Sequence, residues 1–184
     1  MAQVSSTRSS RTARKAGVSA AVAVAALVLG ACVPPPPPPP PNFAVCPTAA
    51  VGQVQVAVVV QGGLPQSPPV VCVVVPAGSD GLDALAARAV RISQAAPRLG
   101  FGDAFVCGID GFPTAPACGD SGPNGFSYWN YWTGGTTWES ASIGAGDRIV
   151  SQGSVDGWVF GTWDFSTTFP AAPNGSADFG ALTD

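Results

Sequence analysis

Five large aromatic rings fall between Tyr128 and Trp138, in the order Tyr128, Trp129, Tyr131, Trp132 and Trp138, in a 184-residue chain that is only 9% aromatic. Trp and Tyr each carry a broad rigid face and one polar atom, which suits a flat conjugated ring, a sugar face or the centre of a protein contact. Successive side chains of a strand point to opposite sides, so one strand cannot bury all of these rings on one face. The expectation is a split role, with one face of the block filling the core and the other meeting a ligand. The candidate ligand-binding residues are therefore Tyr128, Trp129, Tyr131, Trp132 and Trp138, joined by Trp158 from a later segment. Packing alone is the competing reading, above all for Trp129, Tyr131 and Trp158.

Groups for covalent or acid–base chemistry are scarce. The chain has no histidine, its one lysine is Lys15 near the start, and no GxSxG motif occurs. Glu139 and an aspartate can in principle act as a glycosidase-like carboxylate pair, but nothing in the sequence brings two of them to about 5–9 Å. Scattered surface aspartates are the expectation, and the chain is not expected to be an enzyme. Metal binding is not expected either, since the cysteines lack a CxxC spacing and imidazole is absent.

Arg8, Arg11, Arg14 and Lys15 precede an apolar run from Ala16 to Leu29, the pattern of a secretory signal. Leu29-Gly30-Ala31-Cys32 resembles the lipobox of bacterial lipoproteins, which implies a signal over 1–31 and a lipidated Cys32 opening the mature chain. Ordinary cleavage near Ala31, giving a secreted protein, and an uncleaved anchor are the alternatives. Residues 32–45 then form a stalk. Its eight prolines, Pro34 to Pro41, make a semi-rigid polyproline II spacer of roughly 25 Å. Beyond Cys32 only Arg88, Arg91, Arg98 and Arg148 face eleven acidic residues, a net charge of −7. Such a surface disfavours nucleic acid and anionic headgroups as partners.

Cys46, Cys72, Cys107 and Cys118 form an even set in an extracytoplasmic chain and read as two disulfides. Three connectivities exist, and Cys46 with Cys72 and Cys107 with Cys118 is the favoured one. Each bridge is expected to contribute roughly 3 kcal/mol.

The elements that must position the rings are short. Val54, Val56, Val58 and Val60, then Val70 to Val75, read as a hairpin of strands in the centre of a sheet. Leu82, Leu85, Ala86, Ala89 and Ile92 recur at helical spacing, with Arg88 and Arg91 on the other face. Phe105 to Ile109 is a strand, and Pro113 to Asn124 a disulfide-tied loop. Phe126–Thr133 and Thr136–Ser140 are expected to pair through Gly134-Gly135, and Val155–Phe160 closes the sheet. The order β-β-α-β-β-β defines an α+β domain over 46–165, with 166–184 as a flexible tail.

This order, with Leu82-Asp83-Ala84-Leu85, Ile109-Asp110-Gly111, the Tyr128–Trp132 block, Gly146-Asp147-Arg148-Ile149 and Gly157-Trp158-Val159-Phe160, resembles the β-grasp domain of secreted bacterial proteins related to the C-terminal domain of transcobalamin and intrinsic factor. The resemblance implies a β-grasp-like mixed sheet with one packed helix, in a lipoprotein of actinobacterial type linked with corrinoid or cobalt uptake. In the vertebrate carriers this domain closes over the vitamin against an α-helical barrel, for which this chain has no room, so a partner protein of an uptake system is implied. Two other readings stay open: an envelope structural or protein-interaction lipoprotein without a small ligand, and a glycan-binding module. No resident cofactor is expected.

Overall fold

A computed structural model of the chain describes residues 38–103, 105–166 and 170–184. The segment read as a signal, Cys32 and half of the proline run lie outside the described residues. Pro40–Asp184 forms one compact unit. Its elements run β1 (Gln53–Gln61), β2 (Val70–Pro76), α1 (Gly81–Arg91), β3 (Arg98–Gly100), β4 (Phe105–Gly108), β5 (Asp120–Gly122), β6 (Gly125–Gly134), β7 (Glu139–Ser140), β8 (Ser154–Trp163) and α2 (Phe179–Thr183), with a 3-10 turn at Ala145–Asp147. The class is α+β, a mixed sheet with one main helix. The main sheet is ordered β2-β1-β8-β6-β5, with β7 also on β6, and β3 pairs β4 separately. In its centre β1 runs parallel to β8, while β2 and β6 lie antiparallel on either side.

Valine alternation sorts the sheet into two apolar faces. Val56, Val58 and Val60 meet Val71, Val73 and Val75, Trp158 and Trp129 beneath α1, whereas Ala57, Val59 and Val155 face the other way. β1 is central as expected, but β2 is the outermost strand. The reason for its apolarity is cover from the N-terminal side: Phe43 O accepts from Cys72 N at 2.9 Å, and Cys46 is bonded to Cys72. The second bridge joins Cys107 to Cys118. Arg98 fastens the loop it closes by donating to Cys107 O at 3.2 Å and Pro113 O at 2.9 Å.

The helix starts at Asp80, whose side chain accepts from the Leu82 and Asp83 amides, while Asp83 accepts from Asp80 N, a capping box that satisfies orphan donors of the first turn. Its buried stripe is Gly81, Ala84, Leu85, Arg88 and Ala89. The expected stripe is thus rotated: Ala86 is exposed and Arg88 is fully buried. Small alanines at 84 and 89 leave room for its long stem. Its charge is met by Asp110, with Nη1 at 2.8 and 2.9 Å from the two carboxylate oxygens, and Nη2 donates to Pro68 O at 3.2 Å. Arg91 is half-buried, bonded to the Cys72 and Val45 carbonyls.

Residues 170–184, within the 166–184 segment expected to be a flexible tail, cover the far face of the sheet. Gly161 and Gly157 of β8 make the space. A Cβ on Gly161 would stand 2.7 Å from Pro170, and one on Gly157 would stand 2.8 Å from Pro173 and 2.6 Å from Trp138. Ala177 is buried, Phe179 and Leu182 pack on Ala57, Val59 and Val155, and Asn174 exchanges two hydrogen bonds with the Gln61 side chain. The expected second arm of the aromatic hairpin shrinks to β7, because Trp138 turns away from the strand line to lie over Gly157.

Breaking one member of a buried ion pair strands the other charge, which costs about 3–5 kcal/mol. Arg88→Met is expected to lose roughly that much in urea unfolding, and Arg88→Met with Asp110→Leu to recover most of it. A loss under about 1 kcal/mol in the single variant would show that the pair does not hold the fold.

Candidate functional site

The six candidate rings do not share one surface. Residues opposite each other in the β6–β8 register are Trp129 with Phe160, Tyr131 with Trp158, and Trp132 with Gly157. Trp129, Tyr131 and Trp158 consequently lie on the helix side, and Trp132 and Trp138 on the side covered by residues 170–184. Trp138 donates to Gly175 O at 3.3 Å. Trp129 and Trp158 are buried to 3% exposure, the indole of Trp129 donates to Phe112 O at 2.9 Å, and Tyr131 stacks on Trp158 at 4.6 Å between centroids. These three serve packing and form the base of a cavity. Tyr128 is half-buried and stands at its rim.

The cavity has a volume of about 300 Å³. Trp129 to Tyr131 form its floor with Tyr128 at the rim, Phe105 and Val106 of β4 one wall, Ser140 to Gly146 the other, and Trp158 and Leu82 its back. It exists because β6 is only partly covered along one edge. β5 pairs as far as Ser127 and β7 begins at Trp132. Ala141 N donates to Tyr131 O at 3.1 Å on that side, so alternation along the strand sends the Trp129 N–H and C=O and the Tyr131 N–H the same way. Among the described residues no strand pairs with them. The cavity therefore offers aromatic faces together with backbone donors and an acceptor.

Behind the floor sits a buried polar cluster. Asp156 is fully buried and pairs through Oδ1 with Arg148, so the Ser140–Arg148 wall is tied to β8. Asp156 Oδ2, Tyr131 Oη and Trp158 Nε1 are buried without a hydrogen-bond partner. Asp156 Oδ2 and Tyr131 Oη each lie 2.9 Å from where a Cβ on Gly81 would stand, close enough to couple electrically although not in hydrogen-bonding geometry. Burial raises the Asp156 carboxyl to about 6 against the opposing pull of Arg148, with Asp80 adding to the rise. Burial, then the Asp156 charge, raises the Tyr131 hydroxyl. Asp110 and Asp156 thus depart from the surface placement expected of the aspartates. Among the described residues no cluster of three or more acidic, cysteine or histidine side chains forms a metal site.

Sequence reasoning missed Phe105 and Ile143, which line the cavity. Phe105 packs on Tyr128 at 5.9 Å between centroids, yet a disulfide loop separates them in the chain. Ile143 is 52% exposed in a glycine-flanked loop without periodicity. Only an isolated apolar residue among turn formers marked it.

No protein-family model matches the sequence, and no curated protein does. Among solved structures, the chain is similar to haptocorrin in complex with Cbi, with a TM-score of 0.46 and 18% identity over 60% of this chain and 25% of that one. The chain thus spans about a quarter of that protein's length. Among the described residues no helix is long and apolar enough to cross a membrane, and the two disulfides fit an oxidising compartment.

A carboxyl whose folded pKa lies above its unfolded value near 3.8 favours the folded state most below that value, and the contribution is lost as pH rises through about 6. From pH 7.5 to 5, Asp156 is expected to add on the order of 1 kcal/mol to unfolding stability. Asp156→Asn should remove that increment when the two proteins are unfolded in parallel. An identical pH profile in both would place the titration elsewhere.

Proposed function

We infer that this chain is an extracytoplasmic binding module, held at the membrane by lipid on Cys32, whose cavity beside β6 takes one edge of a flat, largely apolar ligand. The observation that carries the reading is the combination in one concavity of Phe105 and Tyr128 with the Trp129 N–H and C=O and the Tyr131 N–H, which pair with no strand among the described residues. Ligand sites are mostly apolar with a few placed polar groups, and about 300 Å³ is the small end of their range. A corrinoid is the candidate that the sequence resemblance brings forward. It is far larger than the cavity, so the module would grip part of it and a partner of an uptake system would supply the remainder. The reading is one of binding rather than catalysis. The buried carboxylates Asp110 and Asp156 are each held by an arginine, and the cavity is lined by none of the usual bases.

Calorimetric titration of the Pro40–Asp184 unit with cobinamide and with cobalamin tests this. Saturable heat is expected, weakened about tenfold or more in Tyr128→Ala, where a desolvated ring contact is lost. Trp132→Ala, which removes a ring that does not line the cavity, should lower stability and leave affinity unchanged. Absence of heat from folded protein would favour the envelope protein-interaction reading. Loss of binding in Trp132→Ala alone would move the site to the other face.

A further inference from the structure

Four rings form a row along one flank of the molecule. Phe101 meets Phe105 edge-on at 6.0 Å between centroids, Phe105 meets Tyr128 at 5.9 Å, and Tyr128 stacks on Phe126 at 5.8 Å. Phe101 is 80% exposed, and Phe105, Tyr128 and Phe126 are half-buried. The row begins at the turn between β3 and β4, where Phe101, Gly102 and Asp103 have φ of 54°, 70° and 64°. Left-handed backbone is unfavourable for Phe, and this turn uses it to hold a phenyl ring in water.

Among the described residues eleven acidic side chains outnumber four arginines. Each arginine among the described residues is engaged inside the fold: Arg88 by Asp110, Arg148 by Asp156, Arg91 and Arg98 by backbone carbonyls. Of eleven acidic side chains, the nine outside those ion pairs make no salt bridge among the described residues. Asp103 belongs to the same turn as Phe101, and Glu139 and Asp147 flank the opposite wall of the cavity. The exposed Phe101 ring within a net negative field attracts guanidinium and ammonium groups and draws them in over distance. The successive spacing of 5.8–6.0 Å also nearly matches alternate residues of an extended chain, about 6.6 Å apart. A single small cation would cover one ring and leave the rest of the row bare.

We propose that the Phe101–Phe105–Tyr128–Phe126 row is a docking surface for an extended segment of a partner protein carrying arginine at alternate positions. One guanidinium lies over the exposed Phe101 ring beside Asp103, and the alternate ones follow along the flank past Phe105 and Tyr128. Phe105 and Tyr128 are shared with the cavity, but the docking surface stands whether or not the cavity takes a ligand.

The test uses the Pro40–Asp184 unit and a fluorescein-labelled Arg-Ser-Arg-Ser-Arg peptide, with matched peptides in which glutamate or neutral citrulline replaces arginine. Saturable binding by the arginine peptide alone is expected, weakening with salt. Its amide shift changes should gather at residues 101–105 and 126–128. Phe101→Ala, at a site too exposed to unfold the domain, should weaken binding about two- to fivefold, and Phe101→Ala with Tyr128→Leu roughly tenfold. Shift changes scattered over the acidic surface, unchanged affinity in Phe101→Ala, or equal binding of the citrulline peptide would each overturn the proposal.

Discussion

Arg88 leaves the buried stripe of α1 and meets Asp110 where neither side chain has appreciable contact with solvent. One guanidinium joins three separate parts of the chain: the helix, the Pro68 carbonyl in the β1–β2 loop, and the turn after β4 that carries Asp110. That turn continues to Phe112, whose carbonyl accepts from Trp129 and whose ring packs edge-on against Phe160 at 4.8 Å. The position of the cavity's floor therefore traces back to an ion pair two elements away. Burying both charges is expensive, and a hydrophobic replacement can match such a pair in stability. What the pair adds is position, because Nη1 holds both Asp110 oxygens while Nη2 is fixed on Pro68 O.

Arg148 and Asp156 do for the second wall what Arg88 and Asp110 do for the floor. Together with Arg91 and Arg98 on backbone carbonyls, this gives every arginine among the described residues an internal partner. The other side of the sheet is organised without charge: Gly157 and Gly161 remove side chains from β8, and Pro173, Pro170 and Trp138 occupy the space. That cover separates Trp132 and Trp138 from the cavity and leaves the helix-side rings to form it.

β1, β2, β4, β6 and β8, the main helix, the favoured disulfide pairing and the two-faced character of the aromatic block were legible in the sequence, because valine alternation and capping residues are local signals, whereas β3 and β5 carry no such pattern. Arg88 was not, since a buried arginine on a helix reads as a solvated one until Asp110 is brought to it by the turn after β4. The ordered C-terminal stretch escaped for a related reason. Its prolines and glycines look like linker composition, and only the glycines of β8, remote in sequence, give them a surface to fit. Of the candidate site, Tyr128 and the base rings were visible, whereas Phe105, Ile143 and the unpaired edge depend on where β5 stops and β7 starts.

The account depends most directly on that edge. Amide hydrogen exchange measured residue by residue along β6 reports it without any ligand. Tyr128, Asn130 and Trp132 face β8 and should be protected, while Trp129 and Tyr131 should exchange at least about tenfold faster, because an unpaired amide needs no opening of the sheet. Uniform protection from Tyr128 to Trp132 would contradict it, since the edge would then be covered and the cavity would lack the polar groups on which its proposed role rests.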